Sequence, residues 1–212
     1  MTARAAILAR LGGTMSPAQI DAEASALLLA IERPVVDPDA VAATFVARLL
    51  EPGVGATVDR IATIADLPGA IAAYLASQAL PNSLYLPPDP RLDQCDWHAF
   101  TRSDSIASDE NAVLAIARCG VAETGSLVFE TSPAAPMLPN FLALHHIVLV
   151  DAIVAHLEQA DAPGAAPRAH YWVTGVSGTT DIEGSYVRGA HGPRFLHVIM
   201  LGAADPGGIN QT

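Results

Sequence analysis

A chain of 212 residues that is 51% apolar and only 16% charged can bury one substantial core, and two full-size domains would be crowded in it. A formal charge of −11, from 11 Lys+Arg against 22 Asp+Glu, leaves no electrostatic footprint for a phosphate backbone and excludes nucleic acid as the expected partner. No segment reaches the roughly 18 uninterrupted apolar residues of a membrane span, and the start of the chain lacks an export signal's apolar core and cleavage site, so the expected location is cytoplasmic. Cys95 and Cys119 allow one disulfide at most and lie in no Cys-x-x-Cys arrangement; they read as a reduced pair, and no cofactor is expected. Aromatic residues are scarce, and Ala, Val, Leu and Ile carry the apolar fraction, which suits an α/β protein whose strands are covered by helices on both faces.

Ser16, Pro17 and Gln19 form a capping-box helix entry, after which Ile20, Ala24, Leu27, Leu28 and Ile31 recur at helical spacing to about Glu32. Asp37 and Pro38 repeat the entry signal, Val41, Phe45 and Leu49 lie four apart, and Pro52-Gly53 ends the run. This predicts a helical hairpin over residues 1–53, able to supply a homodimer contact, ahead of an α/β domain over 54–212. From Gly55 short apolar runs alternate with helical stretches: a strand at 56–58, a helix at 67–79 and a strand at 83–86. Residues 87–111 are broken by prolines, acids and Ser103, Ser105 and Ser108, and read as a connection holding one short strand at 97–100. Strands follow at 113–121 and 126–130, joined through Ala122-Glu123-Thr124-Gly125. Further strands are predicted at 147–151 and 171–174 with a helix at 152–159 between them, and a last strand at 195–201.

Two segments carry candidate chemistry, because small, polar and glycine residues sit where open α/β sheets collect ligands. In the first, Glu123 is flanked by Thr124, Gly125 and Ser126, and glycine lets a ligand approach the backbone closely. Its bland alternative is a hairpin turn with Glu123 solvated and Thr124 bonded to the local backbone. The second runs through Gly175, Ser177, Thr179, Thr180, Asp181 and Glu183, after the strand at 171–174 and before a predicted short helix ending near Gly189. Small hydroxylated residues at a helix start offer amide groups to a small anionic ligand; alternatively Thr179 or Thr180 merely caps that helix. The loop lacks the Gly-Lys-Ser/Thr ending of a phosphate loop and the Gly-x-Gly-x-x-Gly of a dinucleotide fold.

His145 and His146 are adjacent on a predicted strand and must point to opposite faces, so at most one joins a site. Without a His-x-x-x-His helix or a cysteine cluster no metal is expected, and His191 is read as ordering the turn into the final strand. Ser126 and Ser177 have no assignable base, so serine nucleophilic chemistry is unsupported.

The blocks Val121-Ala-Glu-Thr-Gly-Ser-Leu-Val128, His146-Ile-Val-Leu-Val150, Thr179-Thr-Asp-Ile-Glu183 and Gly189-Ala-His-Gly-Pro-Arg194, the last followed by Leu196-His-Val-Ile199, together resemble the LUD-domain family, in its lactate-utilisation protein C group. The resemblance covers residues 120–201 well and the first half only in layout. It implies a three-layer α/β/α sandwich with a largely parallel sheet, like the sugar-phosphate isomerase and CoA-transferase group. It further implies an accessory role in bacterial L-lactate oxidation, in which separate partner proteins carry the iron–sulfur clusters. Two arginines usual in the family are replaced here by Gly178 and Met137; if they normally hold an anion, the ligand here differs or is absent. A competing expectation is an independent enzyme of the CoA-transferase or sugar-phosphate isomerase type, with Glu123 as nucleophile or general base. A catalytic Glu123 should open into a pocket shared with the 175–181 loop, whereas a scaffold residue should be exposed or bonded to its own hairpin. A third expectation is a pure interaction protein.

Overall fold

A computed structural model of the protein describes residues 2–10, 15–29, 33–103, 111–160, 167–180, 183–189 and 191–202. Residues 1–35 and 36–212 form separate units. The first unit contains helices α1 (Ala3–Arg10) and α2 (Pro17–Leu29). The capping box that opens α2 is reciprocal: Ser16 Oγ accepts from the Gln19 amide at 3.3 Å, and Gln19 Oε1 accepts from the Ser16 amide at 2.9 Å. The second predicted helix, α3 (Val41–Leu49), is entered through Asp37, whose carboxylate accepts from the Asp39 amide at 3.0 Å. It belongs to the other unit, where Phe45 and Leu49 are fully buried, so the two predicted helices fall in different units.

The second unit is built on a six-stranded sheet in the order β1-β12-β7-β4-β2-β3, with every pairing parallel. Its strands are β1 (Ala56–Ile61), β2 (Ser83–Tyr85), β3 (Thr101–Ser103), β4 (Ala112–Ile116), β7 (His145–Val150) and β12 (Phe195–Leu201). A parallel sheet is buried on both faces, which is why its central strands read as continuous apolar runs. Ile147 and Leu149 of β7 join Leu114 and Ile199 under helix α4 (Leu67–Ser77), which contributes Leu67, Ile71 and Leu75. Val148 and Val150 join Ala115, Leu196 and Val198 on the opposite face, against Phe45 and Leu49 of α3. Each such fully buried aliphatic side chain stabilises the fold by about 1.5–3 kcal/mol.

That second face is shared with a four-stranded sheet in the order β8-β5-β6-β9, comprising β5 (Cys119–Val121), β6 (Ser126–Glu130), β8 (Ile153–Val154) and β9 (His170–Val173). α3 sits so close to β5 that a Cβ built on Gly120 would lie 2.5 Å from the Phe45 ring; only glycine fits there. A short hairpin, β10 (Gly178–Thr180) with β11 (Tyr186–Arg188), stands apart from both sheets, and α5 (Pro139–Leu142) is a single turn before β7. The α/β class and largely parallel central sheet with flanking helices are as predicted. No helix among the described residues is long and apolar enough to cross a membrane.

Four local predictions are corrected. The single strand expected at 113–121 is two, β4 and β5, because the chain leaves the central sheet at Ala117 and the Arg118 amide already bonds Val128 O in the other. Residues 97–100 form a turn packed by buried Trp97, whose Nε1 donates to Leu92 O at 3.0 Å, and the strand comes after it as β3. The helix expected at 152–159 is instead β8 followed by a tight turn at Leu157–Ala160, with Gln159 Oε1 accepting from the Ala155 and His156 amides. The short helix expected to end near Gly189 is replaced by the β10–β11 hairpin.

Candidate ligand-binding site

The chain leaving β9 at Thr174 turns sharply at Gly175, whose φ of +95° and whose closeness to the Val54 backbone exclude a side chain. The Val176 amide then bonds Val54 O, and the Ser177 amide bonds Pro193 O at 2.9 Å, which clamps this loop beside the His191-Gly192-Pro193 turn. Together they enclose a cleft of about 200 Å³, closed by Asn140 and Phe141 of α5, by Trp172 and Val173 of β9, and by His146 and Leu196, the second residues of β7 and β12. Trp172 and Phe141 are both about 40% exposed, at 43% and 40%, and make an aromatic rim.

His146 lies within this cleft's lining, 1% exposed, and its Nε2 has no hydrogen-bond partner. Burial pushes its pKa down to about 3, so the ring is neutral. Phe129 packs 5.7 Å from it, Tyr171 stacks on Phe129 at 5.3 Å, and the Tyr171 hydroxyl accepts from Asn140 Nδ2 at 2.8 Å, which fixes the wall.

Of the predicted ligand-binding residues, Gly175, Ser177 and His191 line this cleft. Thr124 and Ser126 reach its edge through a hydroxyl chain: Thr124 Oγ1 to Ser126 Oγ at 2.7 Å, and Ser126 Oγ to Thr174 Oγ1 at 2.6 Å. Gly125, at φ +71°, is buried under the Arg48–Leu49 backbone of α3 and serves the turn. Thr179 and Thr180 are exposed on β10, Glu183 is exposed beyond them, and Asp181 lies outside the described residues. Glu123 does not line the cleft: its carboxylate accepts from the Leu157 amide at 2.6 Å and pairs with His156 Nδ1 at 3.0 Å, tying the β5–β6 turn to the segment after β8. Gly178, which replaces a family arginine, is exposed on β10, and a Cβ there would meet the Tyr186 phenol oxygen at 2.0 Å. Met137, in place of the other, is 40% exposed.

Sequence reasoning missed Asn140, Phe141, His146 and Trp172. The one available signal was an imidazole inside an otherwise apolar strand. The opposite-face rule for the paired histidines holds: His145 turns towards α4, where its Nδ1 and the Tyr74 hydroxyl share a hydrogen bond of 2.9 Å. Tyr74 also stacks on His197 at 4.0 Å, and His197 Nδ1 bonds Thr57 Oγ1 at 2.8 Å. Burial raises the Tyr74 pKa to about 12 and lowers that of His197 to about 4, with Asp59 acting weakly in the other direction. Among the described residues no group of three or more His, Cys, Asp or Glu could hold a metal ion, and Cys95 and Cys119 are both free.

A second, more open cleft of about 570 Å³ lies at the carboxyl ends of β4 and β7, beside Arg91, Arg118, Glu130 and Asp151. Strand carboxyl ends are where open parallel sheets usually bind ligands. Here the charges satisfy one another: Arg118 pairs with Glu130, and Arg91 holds Asp89 at 2.9 Å and Asp151 at 3.6 Å. The Arg91 guanidinium keeps the Asp89 carboxyl below its usual range. The smaller cleft, whose lining holds no such mutually neutralised charges, is the stronger candidate.

Comparison with known proteins places these blocks. A family model described as the LUD domain matches residues 99–201, a span that contains every residue lining the His146 cleft. A lactate utilization protein C of Deinococcus radiodurans is 34% identical over 103 residues, 43% of this chain and 47% of that protein. An uncharacterized protein of Neisseria meningitidis serogroup B is 30% identical over 92 residues, 40% of each. The matched stretches therefore span less than half the length of these curated relatives. A solved structure of a DUF162 family protein from Deinococcus radiodurans superposes with a TM-score of 0.56 at 19% identity, covering 79% of this chain and all of that one, which establishes the shared fold.

Proposed function

From the match of residues 99–201 to the LUD-domain model we propose that this chain is a LUD-domain protein and an accessory, ligand-binding component of a bacterial L-lactate-utilisation system. Iron–sulfur clusters reside on its partner proteins, and this chain works beside them in the cytoplasm. The observation that carries the reading is that the family-matched span builds a formed cleft with an unsatisfied buried imidazole at its wall, while the similar Deinococcus protein is named for lactate utilization.

The independent-enzyme reading gains no support from Glu123, whose carboxylate is engaged by Leu157 and His156 rather than facing a reacting group. A group with that many partners is a strut between turns. The test is genetic: deleting the gene in its source bacterium should abolish growth on L-lactate as sole carbon source, and the wild-type gene should restore it. Undiminished growth and undiminished lactate-dependent dye reduction in the deletion strain would overturn the proposal.

A further inference from the structure

Apolar side chains left in water mark a contact surface when they are gathered rather than scattered. Five of the exposed large apolar side chains among the described residues fall within one short stretch: Met137, Leu138, Phe141, Leu142 and Leu144. Leu138, Phe141 and Leu142 stand at i, i+3 and i+4 around the single turn of α5, so they share a face. Trp172 joins them, since it lines the same cleft as Phe141. These six side chains, each 39–59% exposed, present on the order of 500 Å² of apolar surface, at the size where a monomer's largest patch is often functional.

Charge and area together narrow what covers this strip. No Asp, Glu, Lys or Arg occurs from Thr131 to Val150, although the chain carries a net charge of −11. Acidic copies repel one another wherever their charged surfaces meet, so a neutral strip is where a second copy can approach with least opposition. The strip alone falls short of the ~800 Å² per partner that a standard stable interface buries. The first unit supplies what is missing. Ile20 and Leu27 of α2 are 53% and 71% exposed, and with Ala24 between them they form one uncharged helical face. A two-fold pair in which each copy gives its helix to the other's strip buries both surfaces on both copies, and with a polar rim it reaches that area.

We infer that α2 of one copy docks on the apolar strip of α5 and Trp172 of a second copy, and reciprocally, so that the protein is an exchanged dimer. The test uses the full-length chain in light scattering, with a charge placed on each surface in turn. Leu27→Glu spoils the helix and spares the strip; Leu142→Glu does the reverse. Both positions are exposed, so both variants should keep the wild-type circular dichroism. Ile20→Glu and Leu138→Glu repeat the pair at neighbouring exposed positions should either of the first two fail to fold.

The wild type should show twice the chain mass and each variant the single mass. Mixing the two variants in equal amounts restores one intact helix-to-strip contact per pair, so the mean mass should rise at concentrations where neither variant associates alone. A Leu142→Glu variant that stays dimeric would mean that helix meets helix, and a dimeric Leu27→Glu that strip meets strip. Either result overturns the inference, as do a monomeric wild type and a mixture of monomeric variants that never associates.

Discussion

His146 and His197 are held neutral because each ring is taken out of water, with their pKa values down at about 3 and about 4. In the unfolded chain both return to the ordinary histidine value near ~6.5. The unfolded state therefore binds more protons between those limits, so stability is fully present above about pH 6.5 and is lost as pH falls towards the folded values. Between pH 7 and pH 5 each ring should cost on the order of 1–2 kcal/mol. His197→Phe keeps a ring to stack on Tyr74 and frees Thr57, which is exposed, to bond water. The expected outcome is a smaller loss of melting temperature on acidification from pH 7 to pH 5 than the wild type shows. Parallel melting curves of the two proteins over that range would count against burial as the cause.

At the scale of elements, the Glu123 turn separates scaffold from chemistry. Glu123→Ala leaves the Leu157 amide and His156 without their acceptor and should lower stability by about 1–3 kcal/mol in chemical denaturation, while ligand binding in the His146 cleft persists. Abolished binding at unchanged stability would instead return Glu123 to the site. The α3 contact makes a second prediction: Gly120→Ala drives a methyl group into the Phe45 ring and should cost about 1–3 kcal/mol in the same assay. A neutral substitution would mean that α3 does not dock on β5 as described. The same elements mark what a sequence can convey. Apolar runs are local, so the last strand is legible with its bounds at Phe195–Leu201 and α4 is legible from its start at Leu67. A change of partner is not local: nothing in residues 113–121 says that the chain exchanges one sheet for another at Ala117. Glu123 looked reactive because its turn is rich in small polar residues, but its partners lie 33 and 34 residues away. The importance of His146 is equally tertiary, since an imidazole in a strand becomes informative only when Nε2 is seen to lack a partner.

The whole molecule divides unequally, because both apolar clusters that flank the central sheet, and every residue lining the cleft, lie beyond Val35. A unit that owns its core and its binding site should fold without what precedes it. A chain of residues 36–212 is therefore expected to melt in one cooperative transition within a few degrees of the corresponding transition of the full protein. The first unit keeps Ile7, Met15, Ile20 and Leu27 exposed on or beside its two helices, and apolar helix faces favour burial against another surface. With a net charge of −11 opposing casual aggregation, the expected use of that surface is a defined contact between two copies. Light scattering should then give twice the chain mass for the full protein and the single mass for residues 36–212. A truncated chain that stays dimeric would move the contact onto the second unit, and one that no longer melts cooperatively would show that the first 35 residues belong to the core after all.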